Sequence, residues 1–175
     1  LRNTPKDVRL VMIDPKRVEL TLFDGIPHLM CPVIKDVKEA PGVLRAVWRE
    51  MDRRYDLLSE HGARNIQSWN EKASFQDRMP YIVIVVDEFA TLAEELPDFV
   101  GGLVGIAQRG RSLGVHLVLA TQRPEGAVSP DPSVRTSITD GGAFGDGVVA
   151  STGGVRVRAH RMMTNIVSAA EHAVA

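Results

Sequence analysis

Three short apolar runs dominate the hydrophobic pattern of the chain, and polar residues follow each of them. The run VRLVMID at 8–14 predicts a buried strand that ends in an acid. Residues 82–86 are all β-branched and show no polar alternation, which is typical of a strand buried on both faces of a parallel sheet. The run VHLVLA at 115–120 predicts a third buried strand.

Amphipathic segments between these strands predict helices. One helix is predicted from apolar residues that recur every four positions: Val43, Val47, Met51 and Tyr55. It begins near Pro41 and ends at Gly62, whereas residues 63–80 are polar and non-periodic and predict a loop. Residues 98–114 predict a second helix, although four interior glycines weaken this prediction. The order strand, helix, strand, helix, strand indicates an α/β fold with a right-handed parallel sheet.

The segment after Pro124 is rich in Gly, Ser and Thr and has little periodicity. Residues 147–149 and 155–157 give weak strand signals, and the last segment has the pattern of a short helix. We assign no function to this part of the chain.

Composition is that of an ordinary globular domain. The chain has 175 residues, 44% of them hydrophobic, and a net charge of −1, so any DNA contact depends on local patches rather than on overall charge. Cys31 is the one cysteine, which excludes an internal disulfide and favours a reducing compartment. No apolar run approaches the roughly 18 residues that a membrane span needs.

Polar side chains follow all three predicted strands. They are Asp14 and Lys16, then Asp87 and Glu88, then Thr121, Gln122 and Arg123. In an open parallel sheet the ligand site lies beyond the carboxyl ends of the strands. We therefore expect a site at this edge.

The doublet of Asp87 and Glu88 after a hydrophobic run has the Walker B pattern of ATPases. The first acid of that pattern orders Mg²⁺, and the second polarises the water that attacks the γ-phosphate of ATP. The alternative is that the acidic pair caps the next helix, since acids favour helix N-termini. The doublet alone leaves both interpretations open, and the strand end at Gln122 favours the ATPase.

Four stretches of the chain resemble the motor domain of the FtsK/SpoIIIE DNA translocases. They occur in the order and spacing of that family and read VRLVMIDPKRVELTLFDGIPHLMCPVIKD, EMDRRYDLLSEHGARNIQSWNEK, RMPYIVIVVDEFATL and IAQRGRSLGVHLVLATQRPEGAVSPD. The likeness runs from about Val8 to about Asp131.

The resemblance implies a RecA-like P-loop NTPase fold, a three-layer α/β sandwich with a parallel sheet. It implies a homo-hexameric ring that uses ATP and Mg²⁺ to pump double-stranded DNA, in chromosome segregation, sporulation or conjugation. Residues 1–132 would form a partial motor domain, and 133–175 a divergent C-terminal segment. The motor would be cytoplasmic, without membrane contact in this chain, and a membrane anchor could lie upstream.

Site residues are carried over from the family position by position. Asp87 would be the acid that holds Mg²⁺, Glu88 the catalytic base, and Gln122 the sensor at its strand end. Arg111 falls where the family places an arginine that reaches the ATP of the neighbouring subunit, a role that suits a guanidinium. Without the resemblance, Arg111 would be interpreted as a solvated cation at a helix end.

Two further sets of residues have less defined roles. Asp14 and Lys16, in the IDPK motif, are expected at the edge of the nucleotide site, without an assigned chemistry. The loop residues Arg64, Asn65 and Asn70 are weak candidates for DNA contacts, and a solvated polar loop is the alternative.

The chain departs from the family by lacking a G-x-x-x-x-G-K-[ST] loop. The P-loop strand and helix would lie upstream of Val8, and the P-loop strand would pair beside residues 115–120. We therefore expect the remaining strands to be contiguous and one flank of the sheet to be uncovered.

Two other functions compete with the DNA motor. A type VII secretion ATPase of the EccC kind moves protein, and RPEGAVSPD at 123–131 fits that branch, whereas IDPKRVELTLFDGIPHL and RNIQSWNEK look more like the DNA pumps. A non-catalytic assembly module would contribute only Arg111 to a partner's site. The intact doublet and Gln122 argue against such a degenerate module.

Overall fold

The computed structural model describes residues 3–121 and the backbone of two short strands at 136–137 and 148–151. These residues form one five-stranded sheet in the order β1-β2-β3-β5-β4. The strands are β1 (Val8–Ile13), β2 (Tyr81–Val86), β3 (Val115–Thr121), β4 (Thr136–Ser137) and β5 (Val148–Ser151). Strands β1, β2 and β3 are adjacent and parallel, which confirms the three strands and the order predicted from the sequence.

The register of the parallel strands aligns their carboxyl ends. Ile13 of β1 is opposite Val86 of β2, and Val86 is opposite Leu119 of β3. The polar residues that follow β1 and β2 therefore begin side by side at one edge of the sheet.

Four α-helices accompany the sheet within the described residues. They are α1 (Ala40–Glu60), α2 (Ile66–Asn70), α3 (Phe89–Glu95) and α4 (Pro97–Leu113). The limits of α1 and α4 confirm the two predicted helices. The prediction of an uninterrupted loop at 63–80 is wrong, because Asn65 and Ser68 form a capping box that begins α2.

Three glycines of α4 allow it to pack closely, two of them against α1 and one against the start of β3. A Cβ atom at Gly102 would lie 2.6 Å from Cδ2 of Leu44, and one at Gly105 would lie 2.7 Å from Cζ2 of Trp48. At Gly110 a Cβ atom would lie 2.4 Å from the carbonyl oxygen of Val115. Three of the four glycines that weaken the helix prediction are therefore required by the packing.

Both faces of the parallel strands are buried. One face packs against α1, α3 and α4 in a cluster that includes Val11, Ile84 and Leu117. The other face packs against the segment that follows β1, with Met12 and Val85 against Leu20, Val33 and their neighbours. This two-sided burial explains the absence of polar alternation in the sequence of β2.

Strand β5 corrects the expectation of an uncovered flank. It pairs antiparallel with β3 from Val118 to Thr121, on the edge of β3 that faces away from β2. The weak strand signal at 147–149 overlaps β5. The signals at 155–157 and the helix predicted for the last segment lie outside the described residues.

Candidate functional site

Three buried carboxylates meet at the carboxyl edge of the sheet. Asp14 is 0% exposed, Asp87 6% and Glu88 4%. The backbone N–H of Asp87 donates to the carbonyl oxygen of Ile13 at 2.9 Å, so the acids that follow the adjacent strands β1 and β2 lie next to each other. Buried acids of this kind are rare unless partners stabilise them.

Asp14 anchors the turn that follows β1. Its Oδ2 atom accepts the backbone N–H of Leu20 at 3.0 Å and the hydroxyl of Thr21 at 3.4 Å. Its backbone carbonyl accepts the N–H of Arg17 at 3.1 Å. Its other carboxylate oxygen, Oδ1, is buried and has no hydrogen-bond partner among the described residues.

Glu88 turns the chain from β2 into α3 and contacts the turn after β1. Its backbone adopts the left-handed conformation, with φ 55° and ψ 64°. Its Oε2 atom accepts a charged hydrogen bond from Nζ of Lys16 at 2.9 Å. Although Glu88 occupies the N-cap position of α3, its side chain makes no capping hydrogen bond, so capping by Glu88 does not explain the doublet.

Asp87 lies in a negative environment. Burial, followed by the charges of Asp14, Glu19 and Glu88, raises the pKa of Asp87 from 3.8 to about 6, and Lys16 opposes the shift. The sequence gives no sign that Glu19 affects the pKa of Asp87, because Glu19 is five residues beyond Asp14. Only the folded turn after β1 brings the two acids near each other.

We expect the Asp87→Asn variant to be more stable than the wild-type chain at pH 8 in EDTA. The folded state binds the Asp87 proton more tightly than the unfolded chain does, so the stabilisation from protonation is present below about pH 4 and lost as pH rises through about 6. A shift of this size corresponds to about 2–3 kcal/mol of unfolding free energy. Urea unfolding at pH 4, 6 and 8 measures it.

The matched control for this prediction is Asp52→Asn, which changes an exposed acid on α1. We expect its unfolding free energy to stay within about 0.5 kcal/mol of the wild type at each pH. Asp87→Asn that is less stable than the wild type at pH 8 would contradict the prediction.

The acids fit a magnesium ion that takes its remaining ligands from elsewhere. The bare Oδ1 of Asp14 and the raised pKa of Asp87 both indicate uncompensated negative charge, which a divalent cation would neutralise. Mg²⁺ is usually held by one or two carboxylates, waters and phosphate oxygens. Within residues 3–121, no three metal-ligating side chains form a site by themselves. Asp87, with Asp14 beside it, would therefore hold the ion together with water and nucleotide.

Arg111 lies at the opposite end of the sheet. It is an exposed residue in the last turn of α4, which leads through Gly114 into the start of β3. The backbone N–H of Ile82, near the start of β2, donates to the carbonyl oxygen of Gly114, so the end of α4 lies beside Ile82. Asp87 is five residues further along the strand direction, which separates it from the end of α4, and thus from Arg111, by roughly 17 Å. The structure does not bring Arg111 to the acids of its own chain.

The candidate DNA-binding residues lie near the same amino end of the strands. Asn65 caps α2 by accepting the N–H of Ser68 at 2.8 Å. Asn70 donates to and accepts from the backbone of Met79, each at 2.9 Å, whereas Arg64 is exposed. The two amides stabilise local structure, and DNA contact by these three residues stays a prediction. Gln122 lies outside the described residues.

The fold resembles solved ATPase structures. The cytoplasmic domain of the Thermomonospora curvata type VII secretion ATPase EccC has a TM-score of 0.60 and 35% identity, over 70% of this chain and 15% of that one. The pCW3 conjugation coupling protein TcpA with ATPγS has a TM-score of 0.57 and 23% identity, over 71% and 37%, and supports the fold alone. These likenesses confirm the RecA-like α/β fold.

Within the described residues, none of the helices has the length and apolarity to span a bilayer.

Sequence comparisons identify the family. DNA translocase FtsK of Oceanobacillus iheyensis is 45% identical over 133 residues, which cover 71% of this chain and 17% of that protein. DNA translocase SpoIIIE of Bacillus subtilis is 43% identical with the same coverage. DNA translocase FtsK of Helicobacter pylori is 39% identical over 168 residues, 89% of this chain and 19% of the relative, so the chain spans less than a fifth of these proteins. A model of the FtsK/SpoIIIE family matches residues 1–126, and the chain belongs to that family.

Proposed function

We propose that the chain is part of an ATP-driven motor that translocates double-stranded DNA. The observation that carries the proposal is the set of buried acids at the carboxyl edge of the sheet: Asp14, Asp87 and Glu88. Asp14, whose Oδ1 has no hydrogen-bond partner among the described residues, and Asp87, whose pKa is raised, carry negative charge that the described residues compensate poorly. A metal-bound nucleotide would neutralise that charge. Family membership supports the same chemistry.

Each residue has a proposed role in ATP hydrolysis. Asp87 would hold Mg²⁺, which when bound would supply positive charge to the phosphates, and Asp14 supports the turn beside it. Glu88 accepts the proton of the attacking water, and Gln122 senses the γ-phosphate at the end of β3. Because Asp87 and Glu88 are consecutive residues after β2, their side chains can point in different directions, so one acid can serve the metal while the other serves the water.

Arg111 fits a role in a neighbouring subunit. Since it lies roughly 17 Å along the strands from Asp87, its guanidinium is too far to act in its own chain. In a head-to-tail ring, however, the amino end of one sheet meets the carboxyl edge of the next, and the arginine of one subunit can complete the site of its neighbour. We therefore propose a homo-hexameric ring.

DNA is the cargo that the relatives favour. Several of them, at 39–48% identity, are named DNA translocases, which supports DNA as the cargo. We propose that this DNA is double-stranded and that the motor acts in chromosome segregation, sporulation or conjugation. The second candidate is a motor that moves protein, because a type VII secretion ATPase shares the fold at 35% identity. We propose a cytoplasmic site of action for the motor.

The test compares the 175-residue chain with the product of the complete reading frame that encodes it. We expect no ATP turnover by the chain alone, because it has no G-x-x-x-x-G-K-[ST] loop to bind the phosphates. The complete product should hydrolyse ATP faster with double-stranded DNA, with DNA affinity falling steeply as salt rises. Glu88→Gln should lower its turnover by about 10²–10⁴-fold, whereas the exposed Glu60→Gln should not.

Three outcomes would contradict the proposal. Turnover by the chain alone that Glu88→Gln abolishes would show that this chain needs no such loop. A complete reading frame without the loop would favour a non-catalytic assembly module. Stimulation by a secreted protein substrate, and not by DNA, would favour the protein motor.

A further inference from the structure

Two strained residues lie at the same edge of the sheet. Arg17, with φ 59°, and Glu88, with φ 55°, are the non-glycine residues of positive φ in the part of the chain that the structure describes. They belong to the turns that follow β1 and β2, two neighbouring strands. Such backbone conformations persist only where the surroundings hold them, and they cluster at functional sites.

The buried carboxylate of Asp14 holds the first of these turns. Asp14 is 0% exposed and accepts from the backbone of Leu20 at 3.0 Å, while its carbonyl accepts the N–H of Arg17 at 3.1 Å. The turn between these contacts contains Lys16. The position of the Lys16 backbone is therefore fixed from inside the protein.

Lys16 joins the first turn to the second. Its Nζ atom lies 2.9 Å from Oε2 of Glu88, across 72 residues of sequence. The Glu88 side chain is 5% exposed and that of Lys16 is 43% exposed. The pair thus supplies a charged partner to a buried carboxylate, and because the lysine side chain as a whole stays partly exposed, the desolvation cost is limited.

We propose that Lys16 is a positioning residue for Glu88, which it holds in the orientation of a general base at the sheet edge. The inference rests on the proposed function, since it gives Glu88 the task of polarising the attacking water. A base must be held within a narrow range of distances and angles to be effective. The ion pair and the left-handed backbone together provide such a restraint, and the carboxylate is directed by a side chain from the turn that follows the neighbouring strand.

The first part of the test needs no nucleotide. In the ¹⁵N-lysine-labelled chain, we expect the ammonium resonance of Lys16 to be protected from solvent exchange and to lose that protection in Glu88→Gln. In Lys16→Met, the backbone ¹³C shifts of Glu88 should move away from left-handed values. Lys35→Met is the matched control, because it removes a lysine paired with Asp24 at 2.6 Å and leaves Glu88 untouched.

The second part measures turnover by the product of the complete reading frame. We expect Lys16→Met to lower kcat by about 10- to 100-fold with KM within about twofold. Lys16→Arg should recover part of the loss, because arginine also pairs with a carboxylate. A residue with only a structural role would show neither this split between kcat and KM nor rescue by arginine.

Each alternative outcome has a distinct meaning. A Lys16 resonance that Glu88→Gln does not change would overturn the inference, as would an unchanged kcat in Lys16→Met. A raised KM with unchanged kcat would also overturn it and would make Lys16 a phosphate-binding residue instead. Full turnover by Glu88→Gln would instead refute the proposed role of Glu88, a failure of the proposed function that is separate from the first three.

Discussion

Mixing two inactive variants, Glu88→Gln and Arg111→Ala, should restore ATP turnover. We expect each variant of the complete product to be about 10³-fold less active alone, because one lacks the proposed base and the other the arginine proposed to stabilise transition-state charge. In rings assembled from an equal mixture, about one quarter of the head-to-tail interfaces combine an intact Glu88 with an intact Arg111. The mixture should therefore recover a substantial part of wild-type turnover.

The geometry of the chain is the reason for this expectation. Arg111 is in the last turn of α4, beside the start of β3, whereas Glu88 follows the end of β2. Because the strands are parallel, the two residues lie at opposite edges of one sheet. A site that needs both can be completed only by two chains.

The control replaces one partner with the double variant. Glu88→Gln mixed with Glu88→Gln/Arg111→Ala contains no intact Glu88 and should stay inactive at every ratio. Mixing is done after dissociation and reassembly, and turnover is followed as a function of the mixing ratio. Failure of the first mixture to exceed the sum of its components, with rings confirmed by mass, would refute the role of Arg111 in a neighbouring site.

The sequence predicts the strands of the sheet well because each strand is indicated by an apolar run of neighbouring residues. The β-branched run at 82–86 has one stable arrangement, a strand covered on both faces, and the acids after it must then lie at the edge. The short helices α2 and α3 escape prediction because five and seven residues give too little periodicity. Gly102 and Gly105 of α4 mislead for a different reason, since they allow close contact with α1, which is distant in sequence.

The site is predictable only in its residue types. Asp87 and Glu88 are recognisable as a pair, but the pairing of Glu88 with Lys16 depends on the left-handed backbone at residue 88 and on a turn 72 residues away. Propensity gives no sign of positive φ at a glutamate. The residues at the carboxyl ends of the strands can therefore be predicted from the sequence, whereas the direction of a side chain there can be known only from the folded structure.

A buried arginine at the opposite end of the molecule carries the largest expected effect on stability. Arg54 is 1% exposed in the middle of α1 and donates three hydrogen bonds of 2.8 Å, to Glu50 and to the carbonyl oxygens of Leu113 and Pro80. Pro80 immediately precedes β2, and Leu113 is the last residue of α4, with Gly114 between it and the start of β3. One guanidinium thus ties α1 to the amino ends of two neighbouring strands.

We expect Arg54→Met to lower the free energy of unfolding by about 3–5 kcal/mol. Methionine can fill much of the space, but it leaves two backbone carbonyls without their donor, and each unsatisfied buried group is costly. The neighbouring Arg53→Met is the matched control. Arg53 contacts the same Glu50 at 2.8 Å, yet its side chain is 55% exposed, so its loss should cost less than about 1 kcal/mol.

Urea unfolding of the two variants, followed by circular dichroism, separates burial from charge as the cause. Both substitutions remove one positive charge and one partner of Glu50, so any difference between them comes from the two carbonyl contacts and the burial of Arg54. Because whole domains are stable by only about 5–15 kcal/mol, the Arg54 variant should approach the limit of folding. Equal losses for the two variants would mean that the tie between α1 and the strand ends contributes nothing, and that the parallel strands are aligned by packing alone.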